Sequence, residues 1–221
     1  MKLSDNTVSV LKNYSTINQN LLINAGSTLT TMSAMKNIVA RATVAETFEK
    51  DVAIYDLNEF LAALSLFENP DLDFQDDFVM MGNEGSRKSL KYWYSDPSVV
   101  TTVTREITMP ECEVSFKFSD KELSDITKAA AVIGVPDMVL ENGSLRVTDK
   151  KNDTANHFAM EVDYVNAVET DHKFWFKVEN LKLMPGTYEV AVSKNKISNF
   201  KNSNVDIEYF IALEPESYYG K

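Results

Sequence analysis

Four segments of the chain place their hydrophobic residues at the spacing of one helical face. They are residues 4–17, 56–67, 119–133 and 178–184. In the first segment this face consists of Leu3, Thr7, Val10, Leu11, Tyr14 and Ile17. We therefore predict four amphipathic helices.

Helix-terminating signals support these boundaries. Ser119 and Glu122 have the spacing of a capping box, and Gly134 follows the last hydrophobic position of the same segment. Asp56 provides a similar start for the second helix, and Pro185 limits the short fourth one.

The residues between these helices alternate in polarity or are β-branched, which is typical of strands. The predicted strands are residues 28–31, 39–44, 51–55, 90–94, 113–118, 144–148, 157–165, 174–176, 188–192 and 205–213. Asn142 and Gly143 form the dipeptide that favours a tight hairpin turn.

The order of these elements repeats. Helix, strands, helix, strands occupies residues 1–94 and recurs over residues 113–221, with residues 95–112 as a connector. Leu57 and Val178, in the second and fourth helices, are separated by about half the chain, as expected of a tandem duplication. The sequence therefore predicts an α+β protein of two similar domains.

The charge balance restricts how such a protein could contact nucleic acid. The chain has 22 lysines and arginines against 33 aspartates and glutamates, a net charge of −11, so its surface as a whole repels DNA. Any DNA contact must come from a local basic strip. Only four of the basic residues are arginines, and lysine suits loose phosphate contact better than base reading.

The sequence contains no recognisable catalytic set, metal motif or cofactor-binding motif. Cys112 is the only cysteine, and we expect His157 and His172 to be surface residues. Residues 71–77 are acidic but depart from the calcium-loop template, so we expect a solvated acidic loop there. The N-terminus lacks the hydrophobic stretch of a signal peptide, and no hydrophobic run reaches membrane-spanning length, so we expect an intracellular protein.

Several strings resemble the DNA polymerase sliding clamps of T-even-type bacteriophages. The similarity extends in order through both halves and is carried by residues 1–4 (MKLS), 11–13 (LKN), 16–18 (TIN), 51–58 (DVAIYDLN), 180–188 (NLKLMPGTY) and 212–214 (ALE). It is weaker across residues 68–112.

This resemblance implies a DNA-clamp fold with helices lining the inside and antiparallel sheets outside. It further implies a head-to-tail homotrimer that closes into a ring around duplex DNA, tethers the replicative polymerase and performs no catalysis. The implied partners are sequence-independent duplex DNA, a C-terminal peptide of the polymerase and an ATP-dependent clamp loader. The location is the host cytoplasm, and a further role as a platform for late transcription is implied.

The resemblance assigns a role to lysines on the polar faces of the predicted helices. Lys12, Lys121, Lys128 and Lys182 are expected to face the DNA, where they would contact phosphates without reading sequence. Without the resemblance, the same lysines are ordinary solvated residues of surface helices.

Clamps of this type offer a hydrophobic pocket near the interdomain connector to partner peptides. The candidate pocket residues are Val99, Val100, Val103, Ile107, Leu213 and Pro215. The alternative is that the connector residues are simply buried.

One other function remains open at this stage. A structural or assembly ring could use the same duplicated fold without any role on DNA. A hydrolase or nuclease would need carboxylates or histidines clustered at strand ends, and no such set can be assembled.

Overall fold

The computed structural model describes residues 1–166 and 168–220. The chain divides into two compact units, unit 1 (Met1–Arg105) and unit 2 (Glu106–Lys221). The division falls within the predicted connector, residues 95–112, while the boundaries at 94 and 113 stay predictions. We describe each unit separately.

Unit 1 contains two α-helices and three groups of paired strands. Its elements are α1 (Asp5–Ile17), β1 (Leu21–Ile23), β2 (Gly26–Met32), β3 (Ile38–Phe48), β4 (Val52–Ile54), α2 (Leu57–Leu64), β5 (Asp71–Phe74), β6 (Phe78–Gly82), β7 (Ser89–Trp93) and a 3-10 helix (Pro97–Val99). β1 pairs with β4, β2 with β3, and β5, β6 and β7 form an antiparallel sheet in that order. The predicted hydrophobic face of α1 is buried from Thr7 to Ile17.

In unit 2, the described residues 106–166 and 168–220 contain one α-helix, where unit 1 contains two. Its elements are β8 (Val114–Phe118), α3 (Asp120–Ile133), β9 (Asp137–Glu141), β10 (Ser144–Thr148), β11 (Phe158–Glu161), β12 (His172–Lys177), a second 3-10 helix (Val178–Asn180), β13 (Tyr188–Ser193), β14 (Ile197–Asn202), β15 (Ile207–Ala212) and β16 (Tyr218–Tyr219). One antiparallel sheet has the order β11-β10-β9-β12-β16, and the other elements pair in the order β15-β14-β13-β8. The α+β prediction is confirmed.

Local sequence signals identified the turn between β9 and β10. Asn142 and Gly143 both have positive φ, 47° and 87°, as a two-residue hairpin turn requires. Glu141 and Ser144 are then paired directly, and the register continues to Asp137 and Thr148.

The predicted fourth helix, residues 178–184, is wrong beyond its first residues. Only Val178–Asn180 is helical, as one 3-10 turn, and no side chain caps its start. A segment this short, stopped by Pro185, gains too few internal hydrogen bonds to form an α-helix. Residues 181–187 have no regular secondary structure.

Three other expectations also need correction. His172 is not a surface residue, because only 1% of it is exposed. The acidic segment 71–77 is not simply a loop, since Asp71–Phe74 forms β5 with Leu72 buried beneath it. The predicted strand 157–165 is shorter, Phe158–Glu161, and the N–H of Val162 adds one more bond to the same ladder by donating to the carbonyl of Gly143.

Candidate nucleic-acid interface

α3 carries two of the lysines expected to face DNA, Lys121 and Lys128, together with three acidic residues, Asp120, Glu122 and Asp125. Its N-terminus has a complete capping box, in which the Ser119 hydroxyl accepts from the N–H of Glu122 and the Glu122 carboxylate accepts from the N–H of Ser119 at 2.7 Å. Leu123, Ile126 and Ala130 bury one face of the helix. Lys121 and Lys128 are therefore exposed on the outer face, two turns apart.

α1 presents one lysine from unit 1. Lys12 is exposed opposite the buried positions Val10, Leu11 and Tyr14. Asp5, in the first turn, is exposed as well and lowers the positive potential of this surface.

The N-terminus of α1 depends on a residue far away in sequence. The Glu46 carboxylate, in β3, accepts hydrogen bonds from the N–H of Ser4 and the hydroxyl of Thr7. Burial raises the pKa of this carboxyl, but the hydrogen bonds from Thr7 and Ser4 outweigh it and hold the pKa below its usual value. Glu46 is thus a charged anchor for the helix that carries Lys12.

α2 contributes no lysine. Its exposed residues include Asn58 and Glu59, while Leu57, Phe60, Ala63 and Leu64 are buried. The lysines expected to face DNA are therefore divided unequally, with one in unit 1 and three in unit 2.

Lys182 lies in the irregular segment 181–187 rather than on a helix. It is half-buried, next to buried Leu181. The sequence predicted that Lys182 lies on the face of a helix, but no helix forms at residues 181–187. The position of Lys182 must therefore be fixed by contacts of this segment with other parts of unit 2.

The candidate pocket residues differ in exposure. Val99 is exposed at the end of the first 3-10 helix, Val100 is buried and Val103 is half-buried, all in unit 1. In unit 2, Leu213 is buried. Ile107 is half-buried and Pro215 is exposed there. Their assignment to a peptide pocket stays a prediction.

His172 belongs to a buried hydrogen-bond network rather than to a reactive site. Its Nδ1–H donates to the Thr170 carbonyl at 2.8 Å, and its Nε2 lies 2.6 Å from the Tyr164 hydroxyl. That hydroxyl also accepts from the N–H of Gly143 at 2.7 Å, so its own proton points to Nε2. Burial raises the pKa of Tyr164, which keeps that proton in place. Both ring nitrogens are therefore engaged.

Other reactive groups are placed unfavourably for catalysis. Burial and the neighbouring Glu113 raise the pKa of the Cys112 thiol, which lowers its thiolate fraction. His157 is exposed, as predicted. Across residues 1–166 and 168–220, no three histidine, cysteine, aspartate or glutamate side chains are grouped as a metal site requires. Among the helices in this part of the chain, none has the length and apolar character needed to cross a membrane.

The fold matches that of known clamps. It superposes on the A. fulgidus PCNA chain of a structure with the C-terminal region of FEN-1 with a TM-score of 0.72 at 14% identity, covering 98% of this chain and 100% of that one. The PCNA of Entamoeba histolytica gives a TM-score of 0.68 at 15% identity, with 94% of each chain covered. These similarities define the DNA-clamp fold.

Sequence comparison identifies the family. Residues 3–93 match the family model described as DNA polymerase processivity factor, and residues 114–215 match that of the C-terminal part of the gp45 sliding clamp. The sliding clamp of Vibrio phage KVP40 is 34% identical, covering 97% of this chain and 99% of the relative. The sliding clamp of Escherichia phage RB69 is 27% identical with 98% of each covered. The chain belongs to the sliding clamp family of DNA polymerase processivity factors.

Proposed function

We propose that this chain is one subunit of a closed head-to-tail trimer that encircles duplex DNA and holds the replicative polymerase near the primer terminus. Tethering raises the effective concentration of polymerase, so that dissociation is followed by rebinding. The chain itself makes and breaks no bonds, and ring opening depends on an ATP-dependent clamp loader.

The observation that carries the proposal is the exposure of lysines on the outer faces of α1 and α3. The chain has a net charge of −11, yet three of the four proposed DNA-facing lysines, Lys12, Lys121 and Lys128, are exposed on the outer faces of amphipathic helices. Lysine–phosphate contacts are independent of base sequence and allow sliding. The rest of the surface is acidic, which disfavours DNA binding by any other face. Passage of DNA through the closed ring is therefore the stable mode of association.

Two strand edges support ring closure. Within the part of the chain that the structure describes, β7 pairs only with β6 in unit 1, and β11 pairs only with β10 in unit 2. Trp93 on β7 is 60% exposed and Phe158 on β11 is 38% exposed. An unpaired edge with exposed aromatic residues favours strand addition from another chain. We propose that β7 of one subunit pairs with β11 of the next, a heterologous contact that can close a ring.

Charge on these two edges is complementary. Lys91 projects from β7, with its Nζ 3.7 Å from the centre of the Phe78 ring and 4.2 Å from that of Trp93. Glu161 ends β11 and is exposed. Opposite charges across the contact would set the register of the pairing.

Partner peptides are proposed to bind near the connector. The pocket would be lined by Val99, Val100, Val103, Ile107, Leu213 and Pro215, and would take a C-terminal peptide of the polymerase. We also propose that the protein acts in the host cytoplasm and has a second role in late transcription. Both proposals rest on the family resemblance.

Charge reversal tests the DNA-binding part. Replacing Lys12, Lys121, Lys128 and Lys182 together by glutamate should abolish clamp-dependent stimulation of polymerase on primed circular DNA. The matched control replaces four other lysines by glutamate, namely Lys88, Lys117, Lys151 and Lys201, which are exposed and lie outside the helices. Because the two variants have the same net charge, equal losses would contradict the proposed surface and indicate general repulsion.

The solution mass tests the ring. Sedimentation equilibrium should give a mass near three times the chain mass of 24.9 kDa. Ala159 is exposed, and its N–H points to the open edge of β11, because Met160 is the residue whose main chain bonds to Leu145 of β10. Replacing Ala159 by proline removes a backbone donor from this edge and should shift the equilibrium toward monomer. A strictly monomeric wild-type chain at high concentration would contradict the trimer.

A further inference from the structure

The irregular segment 181–187 needs outside support for its backbone. It connects the second 3-10 helix to β13 and has no regular secondary structure, although it carries Lys182. In an α-helix the main-chain groups of such a segment would bond to one another. Here the main-chain groups of the segment must hydrogen-bond to other parts of unit 2, and these bonds determine the position of Lys182.

Two buried tyrosines hold the main chain of Met184 from both sides. The Tyr209 hydroxyl accepts from the N–H of Met184 at 3.1 Å, and the Tyr188 hydroxyl donates to the carbonyl of Met184 at 2.6 Å. Both tyrosines are 0% exposed, and their ring centres lie 6.1 Å apart. Burial raises the pKa of Tyr188 to about 12 and that of Tyr209 further, so both hydroxyls stay protonated.

A second anchor joins the segment to the start of α3. The N–H of Gly186 donates to the Asp120 carboxylate at 2.8 Å, and Asp120 is adjacent to Lys121. Gly186 has a φ of 146°, and a Cβ there would lie 2.4 Å from Nδ2 of Asn202, so only glycine fits.

We infer that Tyr188, Tyr209 and Asp120 are positioning residues of the DNA-binding surface, which fix the segment that carries Lys182 against the start of α3 through the main chain of Met184 and Gly186. This inference rests on the proposed function. An unanchored segment would have to be ordered at the moment a phosphate binds, and that ordering opposes binding. The hydrogen bonds with Tyr188, Tyr209 and Asp120 fix the backbone of residues 181–187, where no helix forms.

The salt dependence of DNA binding tests the role of Tyr209. The Tyr209→Phe variant keeps the ring but leaves the N–H of Met184 without this acceptor. Binding of a short linear duplex to the full-length protein is measured by fluorescence anisotropy over a series of salt concentrations. The slope of log K against log salt should fall by about 0.9 for each phosphate that the variant no longer neutralises, as it should for Lys182→Ala.

A double variant separates positioning from general weakening. Combining Tyr209→Phe with Lys182→Ala should add little to the loss of affinity caused by Lys182→Ala alone, because both remove the same interaction with phosphate. The matched control is Tyr164→Phe, a tyrosine outside α1, α3 and segment 181–187, whose hydroxyl accepts from the N–H of Gly143 at 2.7 Å and lies 2.6 Å from Nε2 of His172. It should leave the salt slope unchanged.

Asp120 provides a milder test should Tyr209→Phe fold poorly. Asp120→Asn keeps an oxygen that can accept from Gly186, whereas Asp120→Ala removes it, and both delete the same exposed charge. Asp120→Ala should therefore have the smaller salt slope of the two.

The outcomes distinguish this inference from the proposed function. If Lys182→Ala lowers the slope while Tyr209→Phe and Asp120→Ala do not, the inference is overturned and the DNA surface stands. If Lys182→Ala does not change the salt slope, Lys182 does not contact DNA. The inference and the proposed DNA contact of Lys182 are then both wrong. Additive losses of affinity in the double variant would also overturn the positioning role.

Discussion

The two long helices, α1 in unit 1 and α3 in unit 2, begin in the same way and are stabilised differently. Each starts at a serine N-cap and each exposes lysine opposite a buried face. α3 completes its cap with Glu122, three residues away, whereas α1 relies on Glu46, 42 residues from Ser4. An N-terminus capped locally can form early and independently, but one capped by a distant strand forms only with the tertiary fold.

The largest expected effect is at Glu46. Glu46→Ala should lower the free energy of unfolding of unit 1 by about 3 kcal/mol, because the buried hydroxyl of Thr7 and the N–H of Ser4 lose a charged acceptor. The chain has one tryptophan in each unit, so urea unfolding of a Trp175→Phe background reports on Trp93 and unit 1.

Glu49→Ala is the control for this prediction. Glu49 is exposed just after β3, and its replacement should change stability by less than about 0.5 kcal/mol. Equal effects of the two substitutions would mean that the long-range cap contributes nothing to α1.

Unit 2 has its own long-range anchor, at Tyr164. Tyr164→Phe should cost about 2 kcal/mol, since the N–H of Gly143 loses an acceptor and Nε2 of buried His172 loses a donor. A Trp93→Phe background makes Trp175 the reporter of unit 2. Tyr55→Phe, at a tyrosine that is 59% exposed, is the control, and a loss of stability no larger than the control's would contradict the network's role.

The features that the sequence predicted correctly are those determined by residues close together in the chain. The start and end of α3, the buried face of α1 and the Asn142–Gly143 turn all follow from residues within a few positions of one another. Glu46 was missed because its partners are remote, although a glutamate at an inward-facing position of β3 does indicate a buried partner.

The candidate interface was predictable to the same extent. Exposure of Lys12, Lys121 and Lys128 follows from helical periodicity. The position of Lys182 does not, because it depends on Tyr209, which contacts Met184 across 25 residues. His172 was misassigned for the same reason, since a local pattern of charges around residue 172 cannot reveal Tyr164 packed against it.

A smaller effect is expected at the local cap of α3. Glu122→Ala should lower the stability of unit 2 by about 1 kcal/mol, because the N–H of Ser119 loses its acceptor while water can partly replace it. Glu122→Gln keeps a capping oxygen and should cost less, with Trp175 as reporter. If Glu122→Ala lowered the free energy of unfolding as much as Glu46→Ala does, local and distant caps would not differ in their contribution to stability.

The smallest and sharpest effect is the pH dependence of α1's cap. The pKa of Glu46 lies below the ordinary 4.5 in the folded protein, because hydrogen bonds from Thr7 and Ser4 outweigh the opposing effect of burial. A carboxyl with a depressed folded pKa contributes stability above its unfolded pKa and loses that contribution as pH falls through the folded value. Between about pH 5 and pH 3, wild type should therefore lose more of the Trp93-reported stability than Glu46→Gln, whose amide does not titrate. Parallel profiles would mean that the charge of Glu46 is not what holds α1. Convergence at low pH would mean that it is, since a protonated Glu46 and a glutamine are both neutral and each offers one carbonyl oxygen to the N–H of Ser4 and the hydroxyl of Thr7.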